Sequence, residues 1–270
     1  MKRRLISTSA IMLFAASVIA SSCTGGAALA GAIISADDNN QEKYIEKYGN
    51  LVTKELGTDN ITRLDISGCA DVVYVQGNKT SVKMETNEKA FALYDIKAEG
   101  GTLIVNKKQD RRNQNIPKIN ITVTSPFIDR IDCSGAGNID LGTVNFKDRG
   151  LNINISGAGD IDAESITCDK DLTISISGAG DIDTKKIVCN QNVTMGISGA
   201  GDINSDVKCK DLDIKISGAG NADMKIDCEN TYVSLSGAGS VSLNGRTGTL
   251  KKDGGNILSS IDTDGLTVGK

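Results

Sequence analysis

The sequence predicts an all-β chain wound as a right-handed, single-stranded parallel β-helix of about 19 to 22 residues per coil. Three observations carry this expectation. The tetrapeptide Ser-Gly-Ala-Gly begins at Ser134, Ser156, Ser177, Ser198, Ser217 and Ser236, in steps of 22, 21, 21, 19 and 19 residues. Apolar residues alternate before the serines, as in Leu151, Ile153 and Ile155 before Ser156, and period two means strand. Two further apolar columns follow the glycines: Ile139, Ile161, Ile182, Ile203, Ala222 and Val241, then Val144, Ile166, Ile187, Val207 and Ile226. Three short strands per period imply three faces, and about 20 residues at about 3.3 Å each close a perimeter of about 66 Å. Such repeats cannot bury their inner faces alone and do so only by stacking. The rival all-β arrangement, a sandwich, predicts irregular spacing without recurring columns.

Along the chain, residues 1–22 read as a signal peptide. Lys2, Arg3 and Arg4 precede an uncharged run, and Leu5 to Ala20 is its apolar centre. Ala20-Ser21-Ser22-Cys23 has the small-residues-then-cysteine pattern of a bacterial lipobox, which marks Cys23 for lipidation. Ala28-Leu29-Ala30 offers an ordinary cleavage site instead, and the uncharged run is also long enough for a retained membrane helix. Each acyl methylene buried in a bilayer contributes about 0.8 kcal/mol, so a lipid on Cys23 would hold the chain at a membrane. Residues 23–59 are then the lipidated N-terminus and a polar tether, with a short helix around Gln41 to Tyr48.

Residues 60–127 alternate as strands but carry longer loops, including the polar stretch of Arg111, Arg112 and Gln114, and are expected to form irregular β-rich coils. Ser67-Gly68-Cys69-Ala70-Asp71 lies 67 residues before Ser134, a spacing of about three further periods. Residues 128–270 form the regular part, closed by a C-terminal cap over Gly248 to Lys270. Glycine at the second and fourth positions of each repeat suits a positive φ or a close backbone approach.

Composition narrows the chemistry. Histidine and tryptophan are absent, which removes His-activated nucleophiles, His-ligated zinc and indole sugar platforms. A net charge of -4 gives no basis for a nucleic-acid partner. Cys168, Cys189, Cys209 and Cys228 recur at one position of the coil and form an inward ladder, for which both reduced packing and adjacent-coil disulfides stand open. Cys133 occupies a position that later coils fill with Ile.

Asn138, Asp160, Asp181, Asp202 and Asn221 form an outward column directly after the glycines, and Asp140, Asp162, Asp183, Asn204 and Asp223 a second. Asp160, Asp181 and Asp202 are the candidate calcium ligands, because stacked carboxylates repel unless screened. The plainer reading is that these side chains accept hydrogen bonds from turn amides. Paired carboxylates on a β-helix also suggest a carbohydrate-active enzyme, but the acids are strictly repetitive, whereas an active site breaks its scaffold's pattern. Tyr74, Tyr94 and Tyr232 suit ordinary packing better than ligand stacking.

The repeated Ser-Gly-Ala-Gly followed by Asp or Asn, Ser125-Pro126 before the first regular copy, and the lipobox-like leader resemble the head GIN domain of auto-transporter adhesins over roughly Ile61 to Leu250. The resemblance implies adhesion in the bacterial envelope and brings no catalytic or binding residues to carry over. The expected protein is a non-catalytic envelope lipoprotein at the outer membrane or cell surface, with no cofactor. Its expected partners are a membrane, through the lipid, and a glycan or protein ligand. A structural or calcium-stabilised spacer and a carbohydrate-active enzyme are the alternatives.

Overall fold

The computed structural model describes residues 45–58, 60–108, 116–254 and 259–269. The leader, Cys23 and the loop of Arg111, Arg112 and Gln114 lie outside these residues. The chain from Tyr48 to Lys270 is one compact unit.

Its regular part is a β-solenoid of about 6 turns with roughly 21 residues per turn. One coil comprises Leu151–Ile155, Ile161–Ala163 and Ser165–Cys168. Each strand pairs in parallel with its equivalents above and below. Leu151, Ile153 and Ile155 lie opposite Leu172, Ile174 and Ile176, which lie opposite Val193, Met195 and Ile197, and those opposite Leu212, Ile214 and Ile216. Ile139, Ile161, Ile182, Ile203, Ala222 and Val241 form the second expected column, and every member is buried. From Ala200 onward the corners straighten enough that strands run unbroken over a whole coil, as in Ala200–Ile216 and Ala219–Leu235.

The glycines at the corners answer to close approach, not to handed backbone. No Ser-Gly-Ala-Gly glycine has a positive φ. Instead, a Cβ on Gly178 would overlap the carbonyl oxygen of Gly157, and one on Gly199 would overlap that of Gly178. The same carbonyls accept the alanine amides of the next coil, Ala179 N to Gly157 O and Ala200 N to Gly178 O, both at 3.0 Å. A side chain at either glycine would push the coils apart and break that hydrogen bond.

The Ser67 copy is not three periods away. Ile66 lies opposite Cys133, Ser134 N donates to Ile66 O at 2.9 Å, and Ala136 N donates to Gly68 O at 3.1 Å, so Ser67 and Ser134 occupy adjacent coils. The intervening 67 residues leave the stack and return. Thr102–Lys107 pairs in parallel beneath Arg63–Ser67, and Ile119–Ser125 beneath Ala70–Gln76, which adds a coil out of chain order. Beyond that coil the pairing becomes antiparallel: Ser81–Asn87 against Ile119–Ser125, and Tyr94–Glu99 against Thr102–Lys107.

The expected tether also ends early. Leu51–Leu56 is a strand, antiparallel to Ser81–Asn87, and residues 45–48 form one helical turn. These antiparallel strands cover this end of the solenoid and satisfy edges that would otherwise be open. At the other end Ser259–Asp262 and Leu266–Val268 add a partial rung on Gly239–Gly254.

Replacing Gly178 by Ala is expected to cost at least about 2 kcal/mol in urea unfolding, because the inserted methyl meets backbone that cannot move aside. Gly196 has no atom within 4 Å of an added Cβ, and its neighbour in the coil below is Ser175. Gly196→Ser should therefore change stability by no more than about 0.5 kcal/mol. Equal effects at the two positions would contradict this account of the repeat.

Candidate functional site

The outward acidic column is brought together as expected, and one oxygen of each aspartate accepts a backbone amide. Asp160 Oδ1 accepts Asp181 N at 3.0 Å, Asp181 Oδ1 accepts Asp202 N at 2.8 Å, and Asp202 Oδ1 accepts Asn221 N at 3.0 Å. Asn221 Oδ1 continues the string to Ser240 N, and Asp71 Oδ1 makes the same kind of contact with Asn138 N in the earlier coils. Each carboxylate thus fastens one coil to the next along a line and does not converge with its neighbours on a point. Among the described residues no three His, Cys, Asp or Glu side chains group to hold a metal ion.

The second column is less well satisfied. Asp162 lies in register between Asp140 and Asp183. Burial, reinforced by the charges of Asp140, Asp183 and Asp160, pushes its carboxyl up to about 6. Tyr74 and Tyr94 are buried and present no ring to a ligand. Their hydroxyls donate to Ser125 O at 2.8 Å and Pro117 O at 2.9 Å. Burial, only partly offset by the Ser125 hydroxyl, holds the Tyr74 phenol at about 12.

The place where the repeat breaks was not legible in the sequence. An open cleft of about 360 Å³ is lined by Gln76, Pro126, Phe127, Asn145, Phe146, Lys147 and Arg149. Gln76 stitches its walls together: its Nε2 donates to Pro126 O at 3.0 Å and Asn145 O at 2.8 Å, while Asn145 N donates to its Oε1 at 2.7 Å. Ser125, fully buried, donates to Phe127 O at 3.0 Å and so fixes the turn that presents the ring.

The Arg149 guanidinium lies 3.4 Å from the Phe127 ring centroid, and its Nη1 donates to Asp129 Oδ1 at 3.2 Å. Asp148, between the two cationic residues, has a φ of 59°, a conformation rare outside glycine. Lys147 is exposed. Aromatic, cationic and amide groups thus meet at one mouth. The available signal in the sequence was Ser125-Pro126 with Phe127, one of only 4 phenylalanines, but its partners lie as far away as Gln76 and Arg149.

A second groove of about 320 Å³ runs along the corner of the regular coils, lined by Asn154, Ser156, Ser175, Ser177, Gly196 and Ser198 with three isoleucines. Small side chains create it, and Ser177 Oγ has only a long 3.5 Å contact with Ile155 O.

Stacked parallel coils of this period, closed by an antiparallel end, define a β-solenoid domain. The sequence profile of the family described as "Putative auto-transporter adhesin, head GIN domain" matches residues 60–206 and 194–270, and the chain belongs to that family. Its solenoid is an adhesin-like domain.

Among solved structures, a "putative adhesin" from Bacteroides fragilis NCTC 9343 is 21% identical, with a TM-score of 0.63 over 79% of this chain and 96% of that one. Another, from Parabacteroides distasonis ATCC 8503, is 16% identical, with a TM-score of 0.54 over 79% of this chain and 97% of that one. At these identities the likeness establishes the fold. Among curated proteins no significant sequence relative is found.

The raised Asp162 carboxyl has a signed consequence. The folded chain takes up a proton near pH 6 that the unfolded chain takes up only near 3.8, so stability contributed here grows as pH falls from above 6 toward 4. Asp162→Asn should raise the melting temperature at pH 8 and have little effect at pH 4. The gain is about 1 kcal/mol once screening at this half-exposed site is allowed for. An equal change at both pH values would show that the charge is not the cause.

Proposed function

We propose that this chain is an exported, non-catalytic lipoprotein of the cell envelope, anchored through acylated Cys23, whose solenoid holds a binding surface at the Phe127 and Arg149 cleft. The observation that carries the reading is the cleft itself, where a fixed ring, a guanidinium and a hydrogen-bonded amide converge. On the regular faces the Asp160, Asp181 and Asp202 carboxylates are fastened rung to rung, which is what a rigid support requires. At the break, a stitched and preorganised cleft gathers an aromatic ring, two cations and an amide, groups suited to a sugar or a protein loop. Preorganisation favours binding because little side-chain freedom remains to be lost.

A binding role without catalysis is supported by the absence of histidine and by the strict repetition of the acids, since an active site breaks its scaffold's pattern. Family membership supports an envelope location. The leader supports the anchor: small residues precede Cys23, and the charged residues next to it in sequence are Arg4 and Asp37.

Mass spectrometry of the N-terminal peptide from membranes should find acyl chains on Cys23, and Cys23→Ser should release the protein from them. The soluble domain, applied to glycan and protein arrays, should capture a ligand that Phe127→Ala and Arg149→Ala each weaken at least about tenfold, the loss of about 1.4 kcal/mol. Binding untouched by both substitutions would move the site elsewhere. Products released from acidic polysaccharides would replace the binding role with an enzymatic one.

A further inference from the structure

The inward thiol column divides into two unlike pairs. Cys168 lies opposite Cys189, and Cys209 opposite Cys228, all buried and all free thiols. Cys189 Sγ points at main chain, donating to Lys170 O at 3.0 Å and approaching Asn192 O at 3.4 Å. Cys209 Sγ and Cys228 Sγ instead face each other at 3.2 Å, one thiol donating to the other. Parallel neighbours in register sit about 4.8 Å apart, inside the Cα range of natural disulfides, so closing the remaining gap needs side-chain rotation and little movement of the coils.

Access and reactivity favour the same pair. Cys209 and Cys228 are each 7% exposed, against 1% for Cys168 and 3% for Cys189. The hydrogen bond between the two thiols holds Cys228 below its ordinary value and, with burial, pushes Cys209 up. One proton is thereby shared, and Cys228 is the sulfur readier to act as thiolate. Burial, with the neighbouring Cys189 and Asp169 adding to it, pushes the Cys168 thiol up to about 12.

We propose that Cys209 and Cys228 are a site of oxidative modification, a dithiol that closes into a disulfide between neighbouring coils when it meets a disulfide-bearing oxidant. The Cys228 thiolate attacks one sulfur of the oxidant, whose S–S bond breaks, and the departing sulfur takes up a proton as a thiol. Cys209 then loses its proton, attacks the Cys228 sulfur of the mixed disulfide and releases the second oxidant thiol. Two protein thiols become one disulfide, and one oxidant disulfide becomes two thiols. The bridge encloses about one coil, removes freedom from the unfolded chain and staples adjacent rungs near the end of the solenoid that the antiparallel strands do not cover.

Full-length chain carrying Cys23→Ser, incubated with oxidised glutathione, then unfolded in alkylating agent and mapped by mass spectrometry, tests this. The expected result is the loss of two hydrogens from the intact mass and a cross-linked peptide joining Cys209 to Cys228. Cys69, Cys133, Cys168 and Cys189 should be alkylated, and the melting temperature should rise by several degrees and return with dithiothreitol. Cys168→Ser should leave the cross-link in place, and Cys228→Ser should abolish it. A predominant Cys168–Cys189 or Cys189–Cys209 bridge, stable glutathione adducts alone, or six alkylated thiols after oxidation would each overturn the proposal. The peptide map of the chain with its solenoid thiols intact decides between these outcomes without either solenoid variant.

Discussion

The corner hydrogen bond from each alanine amide to the glycine carbonyl one coil below is the contact on which the rest of the solenoid depends. It recurs at Ala158, Ala179, Ala200, Ala219 and Ala238, with separations of 2.9 to 3.0 Å. To make it, the next glycine Cα must lie directly over the carbonyl oxygen, where no Cβ fits. Glycine is therefore a packing requirement, and its usual entropic cost of about 0.5–1 kcal/mol relative to alanine is accepted at every corner. With the corners fixed, the flanking strands have no freedom of register, and isoleucine is laid on isoleucine through the interior. A slip of one residue would turn each apolar column outward.

The polar surface follows the same logic. Carboxylates one coil apart would repel if left to water alone, but in the column after the glycines each accepts an amide from the coil above, a charge-assisted bond that is stronger than a neutral one. Asparagine continues the ladder at Asn221 with the same geometry and no charge. Asp162 shows what happens without such a partner, since partial burial among like charges raises its carboxyl toward neutrality.

Much of the regular half was legible in the sequence because a fixed period places like residues in columns whatever the loops do. The strands, the inward thiols and the outward acids all followed from that one signal. The glycines were narrowed to two explanations, and the coordinates select close approach over positive φ. What could not be read was pairing across long separations. Ser81–Asn87 and Ile119–Ser125 alternate alike, yet the first pairs antiparallel and the second joins the parallel stack, because side-chain period is blind to strand direction. For the same reason the Ser67 corner was placed several periods from its true neighbour, and Leu51–Leu56 was assigned to a polar tether although it is an edge strand of the closing sheet. The cleft escaped notice because its members are ordinary residues separated by up to 73 positions between Gln76 and Arg149, and only the insertion of an out-of-order coil brings them together.

Hydrogen exchange at the corner alanine amides tests the central contact most directly. Ala158 and Ala179 are exposed residues, so an ordinary solvent-facing turn would exchange within seconds to minutes, whereas an amide bonded to the rung below exchanges only when coils separate. The account predicts that Ala158, Ala179, Ala200 and Ala219 are protected as strongly as Ile153 and Ile174 in the strands between them. Rapid exchange at the alanines beside protected strand amides would contradict it.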